Sequence, residues 1–137
     1  MEFNYQDKGN YFRGLLILVG KDNIIEQNER KTILSYCEKL GFEKRFCEDA
    51  VSNFLENSFI DKNPPKFSSI DLAKKFLEDA IKLSLVDNDF HVEELEWLEN
   101  VAKVNLVEKD WLDKKIQQNL NSEIEVNHII ALKNNIG

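Results

Sequence analysis

"LVGKDNIIEQNERKTIL" (Leu18–Leu34) and "LVDNDFHVEELEWLENV" (Leu85–Val101) decide how this chain is read. Each leaves an apolar run, turns through an Asp-Asn pair and opens a helix on acidic residues. The step along the chain from Asp22 to Asp87 defines an offset. The same offset pairs Leu18 with Leu83, Asn23 with Asn88, Ile25 with Phe90, Glu29 with Glu94 and Ile33 with Leu98. It carries on through Cys37 and Ala102, Lys44 and Lys109, and Phe46 and Trp111, keeping charged, apolar and small positions in kind. The weak points are Val19 against Ser84 and Leu40 against Asn105, where the second copy turns polar. A fixed offset of this sort marks a duplicated supersecondary unit.

Outward from these stretches, almost every segment carries helical periodicity. Phe12, Leu15, Leu16 and Val19 lie at the i, i+3, i+4, i+7 spacing of an amphipathic helix. Ile33, Cys37 and Leu40 form the next stripe, with Gly41 as its C-terminal stop. Phe46, Ala50 and Phe54 predict a third helix that runs out before Asp61. Pro64-Pro65 cannot continue a helix, and Asn63 ahead of them is pushed toward extended geometry. Ser68 then offers an N-cap, with Asp71 three residues on as a short capping-box partner. Leu72, Phe76, Ala80 and Leu83 make a fourth stripe, Leu95, Leu98 and Ala102 a fifth, and Trp111, Leu112 and Ile116 a sixth. Ser122 can cap a last helix carrying Ile124, Ile129 and Ile130. No window alternates with period two for long enough to predict a strand.

The expected fold is therefore all-α, with about seven helices: two similar three-helix units packed as one compact bundle over residues 1–137. The first unit covers about 11–58, a linker 59–68, the second unit about 69–120, and the C-terminal helix about 122–135. A chain of 137 residues buries enough surface to fold without disulfides or a metal. Its 42% hydrophobic content and nine Phe supply the core, and 31% charged residues supply a solvated surface. A net charge of -7 argues against nucleic acid and against anionic membrane surfaces, both of which need clustered Lys and Arg. Cations and basic faces of protein partners suit that balance.

The start of the chain lacks a signal-peptide pattern, and the apolar run Leu15–Val19 is too short for direct membrane insertion. Cys37 and Cys47 lack CxxC spacing and form no framework, so they are expected as reduced, small core residues in a cytoplasmic protein.

The two acidic loops carry the chemistry. Asp22 and Glu29 are seven apart, as are Asp87 and Glu94. A helical side chain leans toward its own N-terminus, so each Glu is expected to point back over the loop that holds its Asp. Such a pair offers hard oxygen donors to Ca²⁺ or Mg²⁺, with Asn23 and Asn88 as additional amide donors. Asp89 and His91 enlarge the second set, and a neutral imidazole admits Zn²⁺ or Mn²⁺. The competing reading is structural: acidic residues in a first turn are stabilised by the helix macrodipole by roughly 0.3–1 kcal/mol each. Asp and Asn are also common turn residues. An EF-hand is excluded, because counting from Asp87 puts Val92 and Leu98, and from Asp22 puts Gln27 and Ile33, where that loop needs Gly and Glu.

With both loops in view, the chain resembles the tellurite-resistance TerB family, whose domain also occurs in some membrane-anchored DnaJ-type co-chaperones. The family pattern is an apolar helix, Ala-Asp-Gly, a hydrophobic residue, a Ser/Thr-Pro-Glu-Glu helix start and a Leu-x-x-x-Ala stripe. Here the first copy reads Lys21-Asp22-Asn23, Ile25, Glu29, Ile33 and Cys37. The second reads Val86-Asp87-Asn88, Phe90, Glu93-Glu94, Leu98 and Ala102, so the resemblance spans roughly residues 11–118. Asn replaces Gly in both loops, and Gln27 and Val92 replace the helix-starting Pro. The resemblance implies two three-helix halves around a central helix hairpin, metal-ligating acids in the loops and a place in stress-response assemblies near the membrane. It implies neither an enzymatic activity nor an organic cofactor.

Other candidates are weaker. His91 reads more readily as a helix N-cap or solvated loop residue than as a ligand, and His128 has no carboxylate or Cys at ligand spacing. No nucleophile elbow or Gly-rich phosphate loop is present among five scattered glycines. Trp97 and Trp111 lie on helices, as core or groove-edge aromatics. Phe59 and Phe67 lie in the most irregular stretch, Asn53–Phe67, and would make a partner contact if exposed, or pack beneath the loop if not. Three functions compete: a cation-binding module that docks on a protein partner, a metal-independent interaction domain whose acids only cap helices, and a helical hydrolase built on the same carboxylates.

Overall fold

The computed structural model describes residues 4–20, 27–56, 63–85 and 92–120. They form an all-α bundle of six helices: α1 (Tyr5–Val19), α2 (Gln27–Lys39), α3 (Lys44–Glu56), α4 (Ile70–Ser84), α5 (Val92–Val104) and α6 (Lys109–Asn119). No strand occurs among the described residues. The expected seventh helix, 122–135, lies outside them. The offset that relates Asp22 to Asp87 also carries both ends of α1 onto those of α4, both ends of α2 onto those of α5, and the start of α3 onto the start of α6. Among the described residues no helix is long and apolar enough to cross a membrane.

The centre is the pairing of α1 with α4. From Tyr11 to Val19 only Arg13 is not buried, which makes α1 an interior helix rather than a one-faced one. Leu72, Phe76, Ala80 and Leu83 line the inner face of α4. Each large aliphatic or aromatic side chain placed there contributes roughly 1.5–3 kcal/mol by leaving water. Tyr11 and Phe76 meet edge to face, with ring centroids 5.2 Å apart. The Phe76 ring lies against Gly14, where an added Cβ would come within 2.6 Å of its Cζ, so this crossing requires glycine. Tyr11 in turn donates its hydroxyl to Asp79. Residue 11 meeting 79 and residue 14 meeting 76 means that the two helices run antiparallel.

The short α2–α3 and α5–α6 turns are built alike. After α2, Gly41 N–H donates to Glu38 (3.0 Å) and Phe42 N–H to Cys37 (3.3 Å), with Gly41 at φ 98°. After α5, Leu106 N–H donates to Lys103 (3.2 Å) and Val107 N–H to Ala102 (2.8 Å), with Leu106 at φ 61°. This is the hydrogen-bond pattern of a Schellman stop, whose left-handed residue is glycine in one turn and leucine in the other.

Three expectations need correction. The inner face of α3 is Cys47, Val51 and Phe54, not the line through Phe46 and Ala50; Phe46 is 50% exposed and stacks on Phe42. The larger aromatic suggested a register one residue away from the true one. The α4 N-cap is Ser69, which accepts from Leu72 N–H at 3.2 Å. Ser68 is instead held by the buried Asp7 carboxylate, which accepts from its amide (3.0 Å) and its hydroxyl (2.5 Å). Finally, Cys37 and Cys47 are joined in a disulfide with both residues fully buried. The turn at Gly41 folds α3 back on α2 and brings their Cα atoms to 6.0 Å, a proximity that a ten-residue separation does not reveal.

Two of the polar departures from the repeat, Ser84 and Asn105, are interior. Ser84 is buried and returns its hydroxyl to the Ala80 carbonyl at 2.9 Å. Asn105 donates to the carbonyls of Pro65 (2.8 Å) and Val101 (2.9 Å) and accepts from Phe67 N–H (2.9 Å). It thereby fastens the proline segment to the end of α5. From the other side α1 holds the same segment, Asn10 donating to Lys66 O (3.1 Å) and Arg13 to Asn63 O (3.0 Å).

Candidate functional site

Glu29 and Glu94 occupy the first turns of α2 and α5. They are 8% and 6% exposed, unusually buried for carboxylates at helix starts. Their burial follows from register: Ile33 and Leu98, one turn further along, are fully buried and set the same face of each helix against the core. Asp22, Asn23, Asp87, Asn88, Asp89 and His91 lie outside the described residues. Among the described residues no three of His, Cys, Asp and Glu cluster at metal-binding distance. One carboxylate per corner is thus positioned by the helical frame, and both are hard oxygen donors suited to a divalent cation.

Phe59 is also outside the described residues. Phe67 is buried, with its ring 5.9 Å from that of Tyr11 and 5.2 Å from that of Phe76. It packs beneath the proline segment and does not present a surface to a partner. Trp97 is a core residue, edge-on to Phe76 at 6.1 Å. Trp111 is half-buried at the α4–α6 seam, with the Lys74 and Lys115 ammoniums 5.4 and 5.6 Å from its ring centre.

A further buried carboxylate, Asp79, is not among the residues singled out from the sequence. Asp79 lies in the apolar stripe of α4, between Phe76 and Leu83, and is buried. It accepts from the Tyr11 hydroxyl and, at 3.1 Å, from the Lys75 ammonium one turn earlier. Burial, then the hydrogen bond to Asp79, raises the pKa of Tyr11. Burial, then the charge of Asp79, pushes Tyr36 of α2 up to about 12. Tyr11 of α1 thus bonds the Asp79 carboxylate of α4 directly, and Tyr36 of α2 lies close enough to feel its charge. An acidic residue on an apolar helical face was the available signal. Asp79 serves as a polar fastening for the junction of α1 with α4.

No family model, curated protein or solved structure matches this chain.

Proposed function

We propose that this chain is a non-enzymatic, TerB-like stress-response module. It binds a divalent cation through its two acidic corners and couples that binding to docking on a protein partner, in the manner of tellurite-resistance proteins. The observation that carries the reading is the pair Glu29 and Glu94, two buried carboxylates at equivalent first-turn positions of α2 and α5. Helices with matching bounds support the idea that each belongs to one copy of a duplicated three-helix unit. A bound cation would lower the cost of keeping such acids ionised away from water. Asp22 and Glu29 from one corner, and Asp87 and Glu94 from the other, are the residues that would hold it, with Ca²⁺ or Mg²⁺ favoured by oxygen-only donors. No organic cofactor enters the reading.

Calorimetric titration with Ca²⁺, Mg²⁺, Mn²⁺ and Zn²⁺ tests it, with Asp22→Ala/Asp87→Ala and Glu29→Gln/Glu94→Gln as controls. Binding by the natural chain, lost in both double variants, is the expected result. No heat and no melting shift with any of the four ions would refute the metal-binding role.

The first-turn location of the same two residues favours one alternative, a metal-independent interaction domain whose acids only stabilise helix starts. It predicts indifference to all four ions and a partner complex that weakens as salt rises.

A further inference from the structure

The Cys37–Cys47 bond ties α2 to α3. Helix α3 rests chiefly on α2, whereas α6 is packed against both α4 and α5. The far end of α3 does reach α1, through the Phe54 ring over Gly20. Its near end, where Cys47 lies, is held to α2 by the disulfide. At the corresponding places in the second copy stand Ala102 and Leu112, both buried and joined by no bond.

We propose that Cys37–Cys47 is a reversible thiol–disulfide clasp that sets how firmly α3 is held on the bundle. Two features of the fold make both redox forms compatible with it. The α2–α3 turn is closed independently by its own hydrogen bonds at Gly41 and Phe42, so the helix pair keeps its connection when the bond opens. The site itself is apolar, and a pair of thiols in it behaves as two small hydrophobes, leaving no stranded charge. The Ala102–Leu112 corner is the same arrangement in its permanently bond-free form.

The exchange uses a dithiol reductant. One of its thiolates attacks a cysteine sulfur, the protein S–S bond breaks and a mixed disulfide forms. The second thiolate resolves that intermediate and leaves the reductant as its own disulfide. Two electrons pass to the protein, and two protons complete the Cys37 and Cys47 thiols. Because both cysteines are fully buried, attack follows opening of the α2–α3 corner, and the clasp reports on the same motion that it restrains.

The test is hydrogen exchange on the whole chain, oxidised and after dithiothreitol, with thiols counted by alkylation in denaturant. Cys37→Ala/Cys47→Leu, the pair found at the second corner, is the bond-free control. Reduction is expected to raise the alkylated thiols from none to two per chain. Exchange over 44–56 should accelerate on the order of 10- to 100-fold, the scale of a closed short loop, while 109–119 keeps its rates. Oxidised glutathione should restore the slow rates, and the control should ignore dithiothreitol. Two thiols in the denatured protein before any reductant would overturn the proposal, as would unchanged exchange in α3 after reduction. A bond that stays closed in excess reduced glutathione, or equal acceleration in α3 and α6, would make it a permanent staple of the whole fold and overturn it equally. If the control does not fold, the oxidised and reduced natural chain decides between these outcomes.

Discussion

The first three helices and the last three follow one plan in the lengths of their first two helices and in turn geometry, yet they are held together differently. In α1–α3 the outer helix is bonded covalently to its neighbour, and its exposed Phe46 stacks on Phe42. In α4–α6 the outer helix sits on two neighbours, and Trp111, the counterpart of Phe46, is covered by two lysines. The difference extends to the centre. Tyr11 and Phe76 occupy equivalent places, but Tyr11 reaches an aspartate whereas Phe76 covers a glycine. A shared backbone plan thus leaves open which force holds each copy, whether covalent linkage, apolar packing or hydrogen bonding.

Three substitutions, two of them paired with a reciprocal, probe that comparison. The largest effect belongs to Phe76→Ala, which empties the space between Tyr11, Phe67, Trp97 and Gly14. It should lower stability in urea unfolding by about 3–5 kcal/mol. A loss under about 1 kcal/mol, well below that range, would show that α1 and α4 are not the joint on which both halves depend. Next is Asn105→Leu, which gives the second half the residue that the first carries at Leu40. It removes the partners of Phe67 N–H and Pro65 O and should cost about 1–3 kcal/mol, despite the gain in apolarity. The reciprocal Leu40→Asn would not recover that loss, because Pro65 O and Phe67 N–H face Asn105 at the end of α5. The smallest is Leu106→Gly, which relieves a leucine held at φ 61° and 79% exposed. Strain relief of about 1–2 kcal/mol outweighs an entropic cost of about 0.5–1 kcal/mol, so the melting temperature should rise slightly. Gly41→Leu, at φ 98°, should lower it.

Much of this was legible beforehand, for definable reasons. Helical periodicity locates α1, α2, α4, α5 and α6 because their apolar stripes are long and lack a competing register. In α3 two registers competed, and the more hydrophobic Phe46 pointed to the wrong one; Cys47 is in the core as expected, but its spacing from Cys37 did not reveal that the two face each other and are bonded. At the candidate corners, spacing identified Glu29 and Glu94 as equivalent but could not state that both are buried. Asp79 stood in plain view on an apolar stripe, yet its partner Tyr11 lies far away along the chain, on α1.

By itself the sequence determined what depends on neighbours along the chain: helix content, the turn at Gly41, the break at Pro64-Pro65 and the offset between the two copies. These follow from backbone sterics and from side chains three or four positions apart, which a linear reading can count. Tertiary structure alone decided the disulfide, the Tyr11–Asp79 contact, the Asn105 clasp on the proline segment and the unequal seating of α3 and α6. Each of these depends on how one helix is rotated and set against another. That is fixed by the collective fit of many side chains, not by any local pattern.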